Sequence, residues 1–214
     1  METSLKNRFD SIIFDLDGTL WDSTVSVAEA WQAAKDKVGY IEEEITPEAV
    51  AGIAGMPYDA IYDKLFPALS QEKRNEFKEI CAKKELEVLA EKGGILYPEL
   101  EKTLAYLSEK YRLFIVSNCQ TGYIEVFLKL HQLEQYFEGH QCYGTKNMPK
   151  AENIKDIVKD HDLKASVYIG DTMGDYESSK KAGVPFIFAA YGFGKVNEDQ
   201  VASLEKFEDL TIIL

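Results

Sequence analysis

A short apolar run, Ile12-Ile13-Phe14, reads as a buried strand, yet no partner for it occurs anywhere in the next stretch of chain. From about Ser23 to Lys92 the sequence reads as consecutive helices. Val27, Trp31, Ala34 and Val38 recur at helical spacing, and Gly39 is a natural stop. Thr46-Pro47 begins a helix with a capping residue and a proline at the first position. Tyr58 to Phe66 is a short helical piece closed by Pro67. Ser70 caps a long charged helix running through Phe77, Ile80, Cys81, Leu86 and Leu89 to Gly93-Gly94. Strands return only after Pro98, alternating with helices: Leu113 to Val116, a short strand at Gln141 to Tyr143, Val167 to Ile169 and Pro185 to Ala189. Leu100, Leu104 and Leu107, then Ile124, Phe127 and Leu128, then Asn153 to Asp160 and Tyr176 to Ala182, mark the helices between them.

A single strand cannot stand alone, so Ile12 to Phe14 must join the later ones. Continuous apolar strands alternating with helices imply a parallel sheet covered on both faces. The expected fold is therefore α/β: a doubly wound, mostly parallel, Rossmann-like sheet with an inserted all-helical cap domain. The expected division is residues 1–21 and 94–214 for the core and 22–93 for the cap. At 214 residues the chain is long enough for that arrangement.

The first strand ends in Asp15-Leu16-Asp17-Gly18-Thr19-Leu20. In an extended segment Asp15 and Asp17 would point to the same side. Two such anions repel unless a cation lies between them or one takes a proton. Asp, Gly and Thr are also ordinary turn residues, so the other strand ends must decide. In doubly wound sheets ligands bind at the carboxyl ends of the strands. There, Leu113 to Val116 runs into Ser117-Asn118, and Val167 to Ile169 into Gly170-Asp171, with Asp175 four residues later. Between them lies Lys146-Asn147-Met148-Pro149-Lys150, directly before a helix.

Three or more carboxylates, hydroxyls, an amide and a lysine at one sheet edge suit phosphoryl transfer. Oxygen ligands without Cys or His favour magnesium, Mg2+. One carboxylate can attack phosphorus, and a second can protonate the leaving oxygen and later activate water. His131, His140 and His161 form no metal-type cluster and are expected to have surface roles.

The net charge of −13 argues against non-specific nucleic-acid binding. No apolar window is long enough to span a membrane, and Met1 to Asp10 lacks the pattern of a leader. Cys81, Cys119 and Cys142 are odd in number and include no Cys-x-x-Cys pair, so free thiols and a cytoplasmic location are expected. The oligomeric state is not readable from the chain.

With these motifs in order, the sequence resembles the haloacid dehalogenase-like superfamily, within its helical-cap phosphatase branch, as in phosphoglycolate phosphatases. The resemblance spans essentially the whole chain: Asp-Leu-Asp-Gly-Thr-Leu, then Ser-Asn, then a lysine, then Gly-Asp-x-x-x-Asp. It implies that Asp15 is the nucleophile and a metal ligand. Asp17 would be the general acid and base and lend its backbone carbonyl to the metal. Asp171 would ligate Mg2+, with Asp175 as ligand or outer-shell partner. Thr19, Ser117, Asn118 and the amides near Leu16 would bind phosphate, and a lysine would neutralise charge. That lysine is either Lys150 or Lys146, with Lys150 favoured by its place at the helix start.

The second aspartate favours phosphate chemistry over carbon–halogen cleavage. A phosphomutase of the β-phosphoglucomutase type is an alternative, but its cap histidine has no counterpart in Trp21 to Val38. A phosphonate hydrolase would need a cap lysine; Lys35, Lys37 and Lys64 read more simply as solvated. A non-catalytic phosphate- or Mg2+-binding domain is the other alternative. The expected substrate is a small phosphorylated metabolite such as phosphoglycolate or a sugar phosphate, with pyrophosphate or a nucleotide also open. Met56 and Tyr58 in the Gly52 to Tyr58 loop are expected either to face the leaving group or to pack between cap helices, with Trp21 and Tyr123 at the entrance. The Tyr191-Gly192-Phe193-Gly194 loop is a further candidate lining segment.

Overall fold

The computed structural model describes residues 5–214. The beginning of the Met1 to Asp10 stretch, read above for a leader, lies outside the described residues.

The first strand, β1 (Ser11–Phe14), alternates its side chains between two apolar clusters, as a strand buried on both faces must. Ile12 and Phe14 enter one cluster with Leu113, Ile115, Val167 and Ile169. Ile13 enters the other with Phe114, Val116 and Tyr168. Each fully buried Ile or Phe contributes about 1.5–3 kcal/mol to stability, so these strands favour the sheet interior over any edge.

Beyond β1 come β2 (Trp21–Asp22) and four helices: α1 (Thr24–Val38), α2 (Pro47–Ala51), α3 (Tyr58–Leu65) and α4 (Gln71–Lys92). Thr46 and Ser70 accept hydrogen bonds from the backbone N–H groups of Ala49 and Lys73, the N-caps their sequences announce. β3 (Ile95–Leu96) then pairs antiparallel with β2, so the helical segment leaves and re-enters through one two-stranded stalk. The rest of the chain is α5 (Leu100–Ser108), β4 (Arg112–Ser117), α6 (Tyr123–His131), β5 (Gly139–Cys142), α7 (Tyr143–Lys146), α8 (Lys150–Asp160), β6 (Ser166–Gly170), α9 (Met173–Ala182), β7 (Phe186–Ala189), β8 (Ala202–Leu204) and α10 (Leu210–Ile213).

The main sheet has six strands in the order β5-β4-β1-β6-β7-β8, every pair parallel. Helices α5, α6 and α10 cover one face through Leu104, Phe127 and Leu210, and α8 and α9 the other through Ile154, Ile157 and Tyr176. The fold is the expected α/β one with its helical insertion. The chain passes from β1 to β4 and β5 on one side and crosses back from β5 to β6 on the other, so the order reverses beside β1. That is where an open α/β sheet forms a crevice.

Three details differ from the sequence reading. β5 starts at Gly139, two residues before the expected Gln141, and Tyr143 begins a helix. Its register is fixed by pairing with β4, Phe114 opposite Gly139 and Ser117 opposite Cys142. β2, β3 and β8 are too short to leave a periodic signal. The histidines are not simple surface groups. His131 packs against Trp21 and Phe127, and burial lowers its pKa. His161 lies on the Phe114 ring, and His140 sits within β5.

Candidate active site

Strand β1 stops at Phe14, and Asp15 is the first residue beyond it, tied to β6 by its N–H donating to Ile169 O at 2.8 Å. Gly18 then turns the chain with φ +80°, a conformation that disfavours any side chain. There is no room for one either: a Cβ on Gly18 would run into the Asp171 carboxylate.

Lys150 opens α8 directly after Pro149 and reaches under the sheet edge. Its Nζ lies 2.8 Å from Asp15 Oδ1 and 2.6 Å from Asp175 Oδ1, and all three side chains are almost wholly buried. Lys146 is instead on the surface, paired with Asp156 at 2.7 Å. The lysine at the helix start is therefore the one the fold brings to the carboxylates.

Asp171 follows β6 and accepts the Phe193 N–H at 2.7 Å, while the Thr19 hydroxyl points at its other oxygen from 3.5 Å. Asp175 forms a capping box with Thr172 at the start of α9, and the Tyr168 hydroxyl donates to its Oδ1. One carboxylate oxygen from each of Asp15, Asp171 and Asp175 lies within 4.8 Å of the others. Burial pushes the Asp15 carboxyl up to about 7, with the Asp175 charge adding and Lys150 opposing. Burial also raises Asp171 well above the carboxylate range, helped by Asp175 and Asp15. The Lys150 ammonium is held charged against its own burial by Asp15 and Asp175. Three buried carboxylates thus share a single ammonium, and their hard oxygens suit a small divalent cation that would relieve the remaining repulsion.

Asp17 behaves differently from the expectation of two carboxylates aimed at one spot. The chain is no longer extended at this point, and Asp17 bridges to Trp21 within the turn. Its Oδ1 accepts from Ser23 Oγ at 2.6 Å, Trp21 Nε1 at 2.9 Å and Tyr123 Oη at 2.9 Å. Burial raises its pKa, with these three donors offsetting part of the effect. Asp15 and Asp17 nonetheless both line one cavity between the sheet edge and the helical insertion.

Ser117, Asn118, Met56, Tyr58 and Tyr123 also line this cavity, as does Phe193 of the aromatic loop. Asn118 Nδ2 donates to Gly55 O at 2.7 Å, tying the end of β4 to the loop before α3. Tyr58 lines the cavity and also packs against Tyr62, whose hydroxyl donates to it. Trp21 does not line the entrance. It is fully buried, edge-on against Tyr123 and Phe127, and supports Asp17 from behind. Thr19 is likewise fully buried, and Tyr191 donates to its carbonyl while packing on Tyr97.

Glu85 escaped the sequence reading. It lines the cavity from α4, buried, with Oε2 accepting from Trp31 Nε1 at 2.7 Å and Oε1 from Gln120 Nε2 at 3.1 Å. Its signal was present: Phe77, Cys81, Glu85 and Leu89 recur every four residues and are the buried face of α4. An acid on that stripe is out of place in a purely structural helix.

Known proteins resemble this chain in sequence and in fold. The sequence profile of the haloacid dehalogenase-like hydrolases matches residues 12–189. The phosphoglycolate phosphatase of Aquifex aeolicus is 31% identical over 193 residues, covering 87% of each chain. Among solved structures, a predicted phosphoglycolate phosphatase from Haemophilus somnus superposes with a TM-score of 0.85 at 21% identity, covering 97% of this chain and 99% of that one. A haloacid dehalogenase-like hydrolase from Streptococcus pneumoniae gives 0.83 at 22% identity, covering 96% and 98%. The chain belongs to the haloacid dehalogenase-like hydrolase family. Within it, the chain is a phosphoric monoester hydrolase. Among the described residues no helix is long and apolar enough to cross a membrane.

Proposed function

We propose that the protein is a Mg2+-dependent phosphatase that hydrolyses a small phosphomonoester through an aspartyl-phosphate on Asp15. The observation that carries this reading is the buried Asp15–Lys150–Asp175 contact at the sheet edge, with Asp171 beside it. Asp15, Asp171 and Asp175 would hold the ion, joined by the Asp17 carbonyl. When bound, Mg2+ would offset the negative charge shared by the carboxylates and the phosphoryl oxygens.

Lys150 keeps the Asp15 carboxylate charged and oriented, so the oxygen that attacks phosphorus is held in place before substrate arrives. Ser117 and the backbone N–H groups near Leu16 receive phosphoryl oxygens; Thr19 and Asn118 act here through their contacts to Asp171 and Gly55. Asp17, protonated at first, gives its proton to the departing alcohol. It then takes one from the water that hydrolyses the acyl phosphate. Burial favours its neutral form, and Ser23, Trp21 and Tyr123 fix its direction.

Residues 22–93 act as a cap domain, and residues 1–21 and 94–214 as the catalytic core. With Asn118 latched to Gly55 and Gln120 to Glu85, the cap excludes water from the reacting centre. The relative from Aquifex aeolicus and the small cavity together point to a small phosphorylated metabolite as substrate.

Turnover of p-nitrophenyl phosphate with and without Mg2+, beside an Asp15→Asn control, tests the reading. Hydrolysis that requires Mg2+ and disappears in the folded variant is expected. Equal rates for wild type and variant would overturn it.

A further inference from the structure

The cavity above Asp15 and Asp17 is poor in cations and rich in hydrogen-bond acceptors. Among the described residues none of those lining it is Lys, Arg or His. Lys150 is spent beneath it on Asp15 and Asp175. Lys64, an exposed residue, touches Met56 Sδ at 3.5 Å and is not among the residues that line the cavity. The cap side of the cavity is apolar, formed by Val27, Trp31, Ile53, Met56 and Ile61, with one carboxyl group set into it, that of Glu85.

Glu85 is fixed from two directions, by Trp31 of α1 and by Gln120 after β4, and neither partner carries a positive charge. Its carboxyl is pushed up to about 7 by burial, as expected for an acid with no ion pair. A second acceptor at the same cavity lacks a partner altogether. Asn118 lines the same cavity, spends its Nδ2 on Gly55 O, and keeps a buried Oδ1 with no hydrogen-bond partner. Buried acceptors left unpaired are costly, and a ligand that donates to them gains what they lack.

We infer that Glu85 is a specificity-determining residue, selecting phosphomonoesters whose leaving alcohol carries a hydrogen-bond donor, hydroxyl or ammonium, and rejecting those whose alcohol carries a carboxylate. The inference rests on the phosphatase reading above and narrows its substrate class. A carboxylate on the alcohol would enter a water-poor space already holding Glu85, where like charges at close range are strongly disfavoured. The same alcohol ending in CH2OH or CH2NH3+ would give Glu85 a further donor beside Trp31 and Gln120, with a positive charge in the ammonium case. Discrimination of this kind arises because a buried polar group is satisfied by one substrate and left opposed by the other.

Three esters of nearly equal size separate the possibilities: 2-phosphoglycolate, 2-hydroxyethyl phosphate and phosphoethanolamine. They are assayed with Mg2+ at about pH 8, where Glu85 is mostly ionised. The wild type is expected to favour at least one donor-bearing ester over 2-phosphoglycolate by about tenfold or more in kcat/KM. Which of the two leads distinguishes a hydroxyl from an ammonium ligand. In Glu85→Gln the ratio should collapse toward one. The change should appear mainly in KM, falling for 2-phosphoglycolate and rising for the preferred ester.

A wild type that turns over 2-phosphoglycolate as well as the others overturns the inference while leaving the phosphatase reading intact. So does a Glu85→Gln enzyme that loses the same factor on all three esters, since that marks a purely structural role. If the variant does not fold, the wild-type ranking alone decides. Absence of turnover on all three esters and on p-nitrophenyl phosphate defeats the phosphatase reading and this inference together.

Discussion

The Lys150 ammonium lies 2.8 Å from Asp15 Oδ1, and both side chains are almost completely shielded from solvent. Removing one partner of a buried pair leaves an uncompensated charge, which costs far more than the pair itself contributes. Lys150→Met should therefore lower the unfolding free energy, measured in urea without metal, by about 3–5 kcal/mol. Lys146→Met removes only an exposed pair with Asp156 and should change it by less than about 1 kcal/mol. Equal effects of the two substitutions would contradict the placement of the buried cation.

Asp17 is held by three donors, and Asp17→Asn keeps its size and most of those contacts. Loss of a general acid should reduce kcat by about 10²–10⁴ for alkyl phosphates. For p-nitrophenyl phosphate, whose leaving oxygen needs little help from a proton, the loss should be markedly smaller. A uniform loss across leaving groups would remove Asp17 from proton transfer.

Gly18 combines a φ of +80° with a Cβ position already occupied by the Asp171 carboxylate. Gly18→Ala should cost about 1–3 kcal/mol through backbone strain alone. By displacing Asp171 it should also raise the Mg2+ concentration for half-maximal activity by about tenfold or more. A variant with unchanged Mg2+ dependence would show that Asp171 does not hold the ion.

Glu85 links the fold to pH. Burial pushes its carboxyl up to about 7 in the folded protein, from an ordinary 4.5. Between those values the folded state binds more protons than the unfolded one, so stability falls as pH rises and levels off above about 7. The size of this contribution is on the order of 3 kcal/mol. Glu85→Gln removes it, so the variant should match wild type at about pH 5 and exceed it in thermal stability at about pH 8. Parallel pH profiles for the two proteins would show that Glu85 is not buried as described.

The parts of the fold with long periodic signals were legible in the chain. The strands at Ile12, Leu113 and Val167 and the helices after Ser70, Pro98 and Lys150 follow from burial on both faces or one. The same patterns placed Asp15, Ser117 and Asp171 at one edge, because residues that end neighbouring parallel strands must meet there, with Asp175 in the first turn of the helix that follows Asp171. What stayed hidden depends on contacts across the chain. Its place beside the first motif makes Trp21 read as an entrance residue, whereas its buried ring closes behind Asp17. The two-residue strands of the stalk exist only through each other. Glu85 sat in plain view on the buried stripe of α4, but its meaning required Gln120 and the cavity opposite.

The most direct measurement is acid quenching of the enzyme during turnover of a phosphomonoester labelled in its phosphoryl group. The label is expected on the peptide that contains Asp15, released by hydroxylamine as an acyl phosphate must be, and absent from Asp15→Asn. Steady turnover with no protein-bound label at any quench time, or label retained in Asp15→Asn, would contradict nucleophilic attack by Asp15.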